Sequence, residues 1–237
     1  MHSSTSNFSR PIPRHPWRGM TVAVAVAILI AVTCWEVYCR SLGYEPTLND
    51  TSDLWAEARR RVEPESIVIV GDSRPWFDLD LDELERGLMK RPVQLAQAGS
   101  CAFPVLEDLA NDQQFHGTII CSIVPRLFFA PAGPPLEESQ KAVQRFHGQT
   151  WAQRVSHELS VPLERSFAFL KQQELTLPDL LKQIPIPNRP YALVPPPLPP
   201  YFCSVDRERR ARMVEQCVRP GRLQTRVKNG WAKLFTP

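Results

Sequence analysis

A chain of 237 residues with 43% apolar content and a net charge of +3 has room for one α/β domain of ordinary size, and that apolar share excludes wholesale disorder. Twenty-four prolines against 10 glycines are an unusual ratio, and the prolines crowd into the second half. From Tyr201 onward nine Lys/Arg face three Asp/Glu, but they alternate with Val, Met and Gln as on a solvated helix face, which argues against a nucleic-acid partner.

Residues 1–16 are polar and Pro-rich, with Arg10 and Arg14 positive, and read as a cytoplasmic tail. From Trp17 to Tyr38 the chain carries only Arg18 and Glu36 as charges, both near the ends. About 20 helical residues cross a hydrocarbon core of roughly 30 Å, so residues 17–38 are expected to span a bilayer. Trp17, Trp35 and Tyr38 stand where interfacial aromatics belong. Ala31-Val32-Thr33 before Cys34 is a poor match to a signal-peptidase or lipoprotein cleavage site. Arg residues precede the span, while Glu36, Glu45, Asp50 and Asp53 follow it. The positive-inside rule therefore predicts a signal anchor in the bacterial inner membrane, with a cytoplasmic N-terminus and everything after residue 38 outside.

Residues 39–64 read as a linker followed by a short helix, LWAEARRR, capped within Asp50–Asp53 and ending before Pro64. Ile67–Val70 is a β-branched run, the mark of a strand buried on both faces, and it leads into Gly71-Asp72-Ser73-Arg74. A helix is predicted from Asp80, whose side chain can cap it, with Leu81, Leu84 and Leu88 on its apolar stripe. Pro92–Ala96 is a second strand, ending at Gln97-Ala98-Gly99-Ser100; Pro104 opens a further helix, and TIICSIV after Gly117 is a third strand. Strand–turn–helix units in succession predict a parallel sheet, with sites at its C-terminal edge.

Leu136–Leu170 is predicted helical in two pieces divided near Val161-Pro162. Residues 184–200 hold eight prolines and are expected as a polyproline-II linker or arm. Residues 201–237 are expected as a basic helical tail, with one helix from Val205 to about Val218 and a last short one toward Phe235. Six cysteines form no C-x-x-C or Cys/His box; Cys203 and Cys217 are the pair open to a disulfide in an oxidising compartment. Asp78, Asp80 and Asp82 form D-x-D-x-D, read as acidic residues suited to a helix N-terminus rather than as metal ligands, and no cofactor is expected.

Gly71-Asp72-Ser73 after a buried strand resembles the first block of the SGNH (GDSL-like) hydrolase superfamily, over roughly residues 65–130. The resemblance implies a flavodoxin-like parallel-sheet domain, here residues 65–183, with Ser73 as nucleophile toward an ester. It makes Gly99, at the end of the second strand, a backbone oxyanion donor, with Asp72 and Arg74 in supporting positions. The implied activity is ester hydrolysis or acyl transfer on an envelope glycan or lipid, and the implied partners are the bilayer and an envelope glycan or protein.

The chain departs from that pattern at two blocks. Arg126-Leu127-Phe128-Phe129 stands where Gly-x-Asn-Asp is expected, and no Asp-x-x-His follows. A serine without a base is almost wholly protonated and a poor nucleophile. Two readings follow: an N-terminal piece of a longer enzyme, favoured because three strands leave an unpaired edge, or a non-catalytic scaffold or carbohydrate-binding member of the fold.

Overall fold

The computed structural model describes residues 17–41, 43–129, 131–171 and 203–218, with a few isolated positions beyond. The expected tail 1–16, the Pro-rich stretch 184–200 and the short helix toward Phe235 lie outside the residues so described.

Helix α1 (Trp17–Ser41) is long and apolar enough to cross a bilayer, and along it only Cys39 is buried. Its C-terminal end does not dangle. Glu36 accepts the backbone N–H groups of Ala168 and Phe169 at 3.0 and 3.2 Å, and Arg40 donates to the Ser166 carbonyl at 3.2 Å. These contacts hold the helix end against a 3₁₀ turn at Ala168–Leu170, where Cys39, Tyr44, Ala168, Val214 and Cys217 make a small apolar cluster.

The expected linker after α1 is instead packed: Tyr44, Thr47, Leu48 and Asn49 are all buried. Asn49 N–H donates to Glu164, and Leu48 N–H to the Val205 carbonyl. Thr51 then caps α2 (Ser52–Arg60) by accepting from Leu54 N–H, so the helix starts where the cap residues predict.

Three parallel strands, β1 (Ile67–Val70), β2 (Val93–Gln94) and β3 (Thr118–Cys121), lie in the order β2–β1–β3. Val68 pairs with Val93 and with Ile119, which places β1 at the centre. There Val68, Ile69 and Val70 are fully buried, each contributing about 1.5–3 kcal/mol of apolar burial. β3 is an edge, and its Ile119, Ile120 and Cys121 are only half-buried.

Between β1 and β2 run α3 (Ser73–Asp78) and α4 (Leu81–Leu88). Between β2 and β3 runs α5 (Phe103–Asn111), and β3 is followed by α6 (Pro125–Phe128), α7 (Pro134–Gly148) and α8 (Trp151–Glu164). One face of the sheet packs Val68 and Val70 against Trp55, Val105, Leu109 and Ala142, from α2, α5 and α7. The opposite face packs Ile69 against Trp76, Leu81 and Val161.

Two helix expectations change. The break between α7 and α8 falls at Gln149-Thr150, not at Val161-Pro162: Thr150 and Gln153 form a capping box that starts α8, and Pro162 sits inside it. The helix expected from Val205 is an antiparallel hairpin, β4 (Cys203–Val205) with β5 (Ala211–Met213), followed by the four-residue α9 (Glu215–Val218). The Asp206 carboxylate accepts from the N–H groups of Glu208 and Arg210, and Arg209 takes a left-handed φ of 62°. An Asx-type turn thus captures a segment whose local composition favours a helix. Nor is this segment a solvated face, because Arg209 is fully buried. No disulfide joins Cys203 to Cys217 in this structure.

Candidate functional site

The Gly71–Arg74 turn sits at the C-terminal end of β1, where its neighbours fix it closely. Gln97 N–H donates to the Gly71 carbonyl at 3.1 Å, and Ser122 N–H to that of Val70 at 2.9 Å. The ends of all three strands therefore meet here. Gly71 has a φ of 150°, and a Cβ on it would lie 2.8 Å from Pro75 Cγ and 2.9 Å from Ser122 Cβ. Only glycine fits.

Asp72 is buried, and its carboxylate accepts Arg74 N–H at 3.1 Å, capping α3. The helix after the turn thus begins at Ser73 itself, and Asp80 caps a second helix, α4, through the N–H groups of Asp82 and Glu83. Ser73 is half-buried, and among the described residues nothing hydrogen-bonds its hydroxyl. Arg74 is exposed, and among the described residues its side chain has no ion-pair partner.

Gly99 follows β2 at the same edge, exposed and at a φ of 69°, the left-handed region in which glycine is unstrained. Its turn closes when Ser100 Oγ donates to the Gln97 carbonyl at 2.9 Å. Gln97 Oε1 is buried at this edge and has no partner among the described residues. The sequence-predicted Ser73 and Gly99 are thereby brought to the C-terminal ends of adjacent strands. Beyond β3 the edge is aromatic: Phe128 meets Phe103 and Phe129 edge-on, at centroid distances of 6.5 and 5.0 Å.

A base is not brought to Ser73 by any described histidine. His116 sits beside the Gln114 carbonyl at 3.0 Å, ahead of β3 and so at the opposite edge. His157 bonds Glu57 at 3.0 Å. Burial alone would raise the Glu57 carboxyl, but hydrogen bonds from His157 and Arg207 outweigh it and bring it down to about 2. His147 bonds Asp108 at 2.6 Å, and the other oxygen of Asp108 accepts Arg59 Nε at 2.7 Å. Asp82 of the D-x-D-x-D run lies among Arg91 and Arg210, 2.9 and 2.8 Å away, and those guanidinium groups lower its carboxyl.

The Asp108–Arg59–His147 cluster carries no local signature. Its members stand 39 and 49 positions apart in sequence, and only the packing of α7 against both α2 and α5 assembles them. No family model matches the chain, and neither the curated proteins nor the solved structures include one that matches it.

Proposed function

We propose that this chain is a membrane-tethered, extracytoplasmic member of the SGNH-like fold, built for ester hydrolysis or acyl transfer on an envelope glycan or lipid. The observation that supports it is the meeting of the Gly71-Asp72-Ser73 turn and the left-handed Gly99 at the C-terminal ends of β1 and β2. Open α/β sheets bind substrates at that edge. In this reading Ser73 Oγ attacks the acyl carbon, its proton passing to a base that none of the described histidines supplies and from there to the departing alcohol; the acyl-Ser73 ester is then discharged to water or to an acceptor hydroxyl. The N–H groups of Ser73 and Gly99 hold the oxyanion until the alcohol leaves. The anchor restricts substrates to those near the bilayer surface, and its flanking charges favour an external domain.

A second reading, a non-catalytic binding or scaffold module of the same fold, is favoured by one observation: His116, His147 and His157 are all engaged away from Ser73. A fluorophosphonate probe separates the two. The enzyme reading expects labelling of the full-length chain that disappears in Ser73→Ala. Labelling that is absent, or equal in the variant, would leave the binding-module reading.

A further inference from the structure

A cleft of about 760 Å³ lies along the helical layer, between α5 and α7. That volume falls within the range of small-ligand sites, roughly 300–1,000 Å³. Two polar rails line it. Glu107, Asn111 and Gln114 stand on one side, and Gln140, Gln144 and His147 on the other, each set spaced by three or four residues. Successive side chains along a helix face at that spacing are about 6 Å apart, a step on the scale of one sugar ring, and Gln114 extends the first rail from the turn beyond α5. Among the described residues the side-chain amides of Asn111, Gln114, Gln140 and Gln144 have no hydrogen-bond partners, and all four residues are exposed.

The floor of the cleft selects the chemistry. Val143, Phe146 and Pro104 supply apolar surface. Arg59, the one permanent cation there, is already taken: Nε binds Asp108, Nη2 binds Asp112 at 2.9 Å, and its guanidinium lies 4.9 Å from the centre of the Phe146 ring. Its side chain and that of Asp108 are each only 4% exposed. An entering phosphate, sulfate or carboxylate would find no free guanidinium, and it would face the exposed Glu107. Free amides able both to donate and to accept, above an apolar floor whose one guanidinium is already paired, suit a neutral polyhydroxylated chain.

We propose that the α5–α7 groove binds a neutral glycan strand. This assignment goes beyond the Ser73 reading and does not depend on it, because none of the groove residues belongs to the turn at β1.

The test uses the full-length chain in nanodiscs, free of glycoside detergents, titrated calorimetrically with maltohexaose, cellohexaose and the hexamer of N-acetylglucosamine, with heparin as the anionic comparison. At least one neutral hexamer should bind. Gln140→Ala combined with Gln144→Ala should weaken it about tenfold, as loss of one to two net hydrogen bonds implies. Ser73→Ala and added salt should leave it unchanged. Both glutamines are exposed, so the double variant should keep the parent melting temperature; Asn111→Ala gives a second reading from the opposite rail. Three results would each overturn the assignment: no neutral hexamer binding, binding undiminished in both variants, or heparin binding in preference.

Discussion

Arg209 and Asp50, 159 positions apart, form a two-pronged ion pair in which the guanidinium is fully buried: Nε to Oδ1 at 2.7 Å and Nη2 to Oδ2 at 2.9 Å. The third nitrogen, Nη1, donates to the Gln94 carbonyl at 3.0 Å, and Trp76 of α3 donates its indole N–H to the Arg209 carbonyl at 3.0 Å. Gln94 Nε2 in turn donates to the Pro75 carbonyl at 3.1 Å. The hairpin beyond the Pro-rich stretch is thereby tied to β2, and through it to the helix that carries Ser73.

Removing one partner of a buried pair leaves the other charge uncompensated, at a cost of about 3–5 kcal/mol. Asp50→Asn should therefore lower unfolding stability by about that amount, because it strands a fully buried guanidinium, and Arg209→Met by less, since the Asp50 carboxylate left behind retains some solvent contact. Denaturant unfolding of both single variants and the double variant measures the coupling. Additive losses would show that the two residues act independently.

Gly71→Ala should cost about 2 kcal/mol or more, because the methyl meets Pro75 and Ser122 at under 3 Å and the φ of 150° is strained for any side chain. The turn carrying Ser73 must shift to admit it. Thermal melting of the variant, read beside fluorophosphonate labelling, checks this; an unchanged melting temperature would contradict the packing around β1.

Stability should also depend on acid. Glu57 falls from an ordinary 4.5 to about 2 in the folded chain, so its ionised form favours folding. That contribution is complete above pH 4.5 and fades as the pH drops from there toward 2. Glu57→Gln should flatten the stability–pH slope across that window. Asp53, lowered by Arg145 and Gln149 against the opposing effect of burial, supplies part of the slope that remains. An unaltered slope in the variant would remove Glu57 from this role.

An alkaline phosphatase fusion after Phe129 should be active if the Arg residues before α1 hold the N-terminus in the cytoplasm. A stable but inactive fusion would reverse the orientation. The contacts of Glu36 and Arg40 with residues 166–169 make a separate point: the domain rests directly on the end of α1. Glu36→Ala should expose this junction to limited proteolysis without changing membrane insertion.

What the sequence determined alone is what neighbouring residues settle between themselves. A run of apolar residues suffices for α1, and four β-branched residues for β1. Gly71 needs only its own missing Cβ to make the turn, and Thr51 and Asp80 cap the helices directly after them. The C-terminal edge bearing Ser73 and Gly99 follows from that order of elements.

Tertiary structure decided the rest, wherever the stabilising partner is remote. Residues 203–213 form a hairpin because Asp50 and Gln94 receive Arg209, outweighing the weak helical preference of an Arg- and Glu-rich segment. Thr47, Leu48 and Asn49 are buried because β4 and α8 cover them. The groove of Asp108 and His147 exists only once α5 and α7 lie side by side. A helical or solvated reading of such segments follows from local periodicity. Burial of a charge depends on which distant group neutralises it, and no local pattern encodes that.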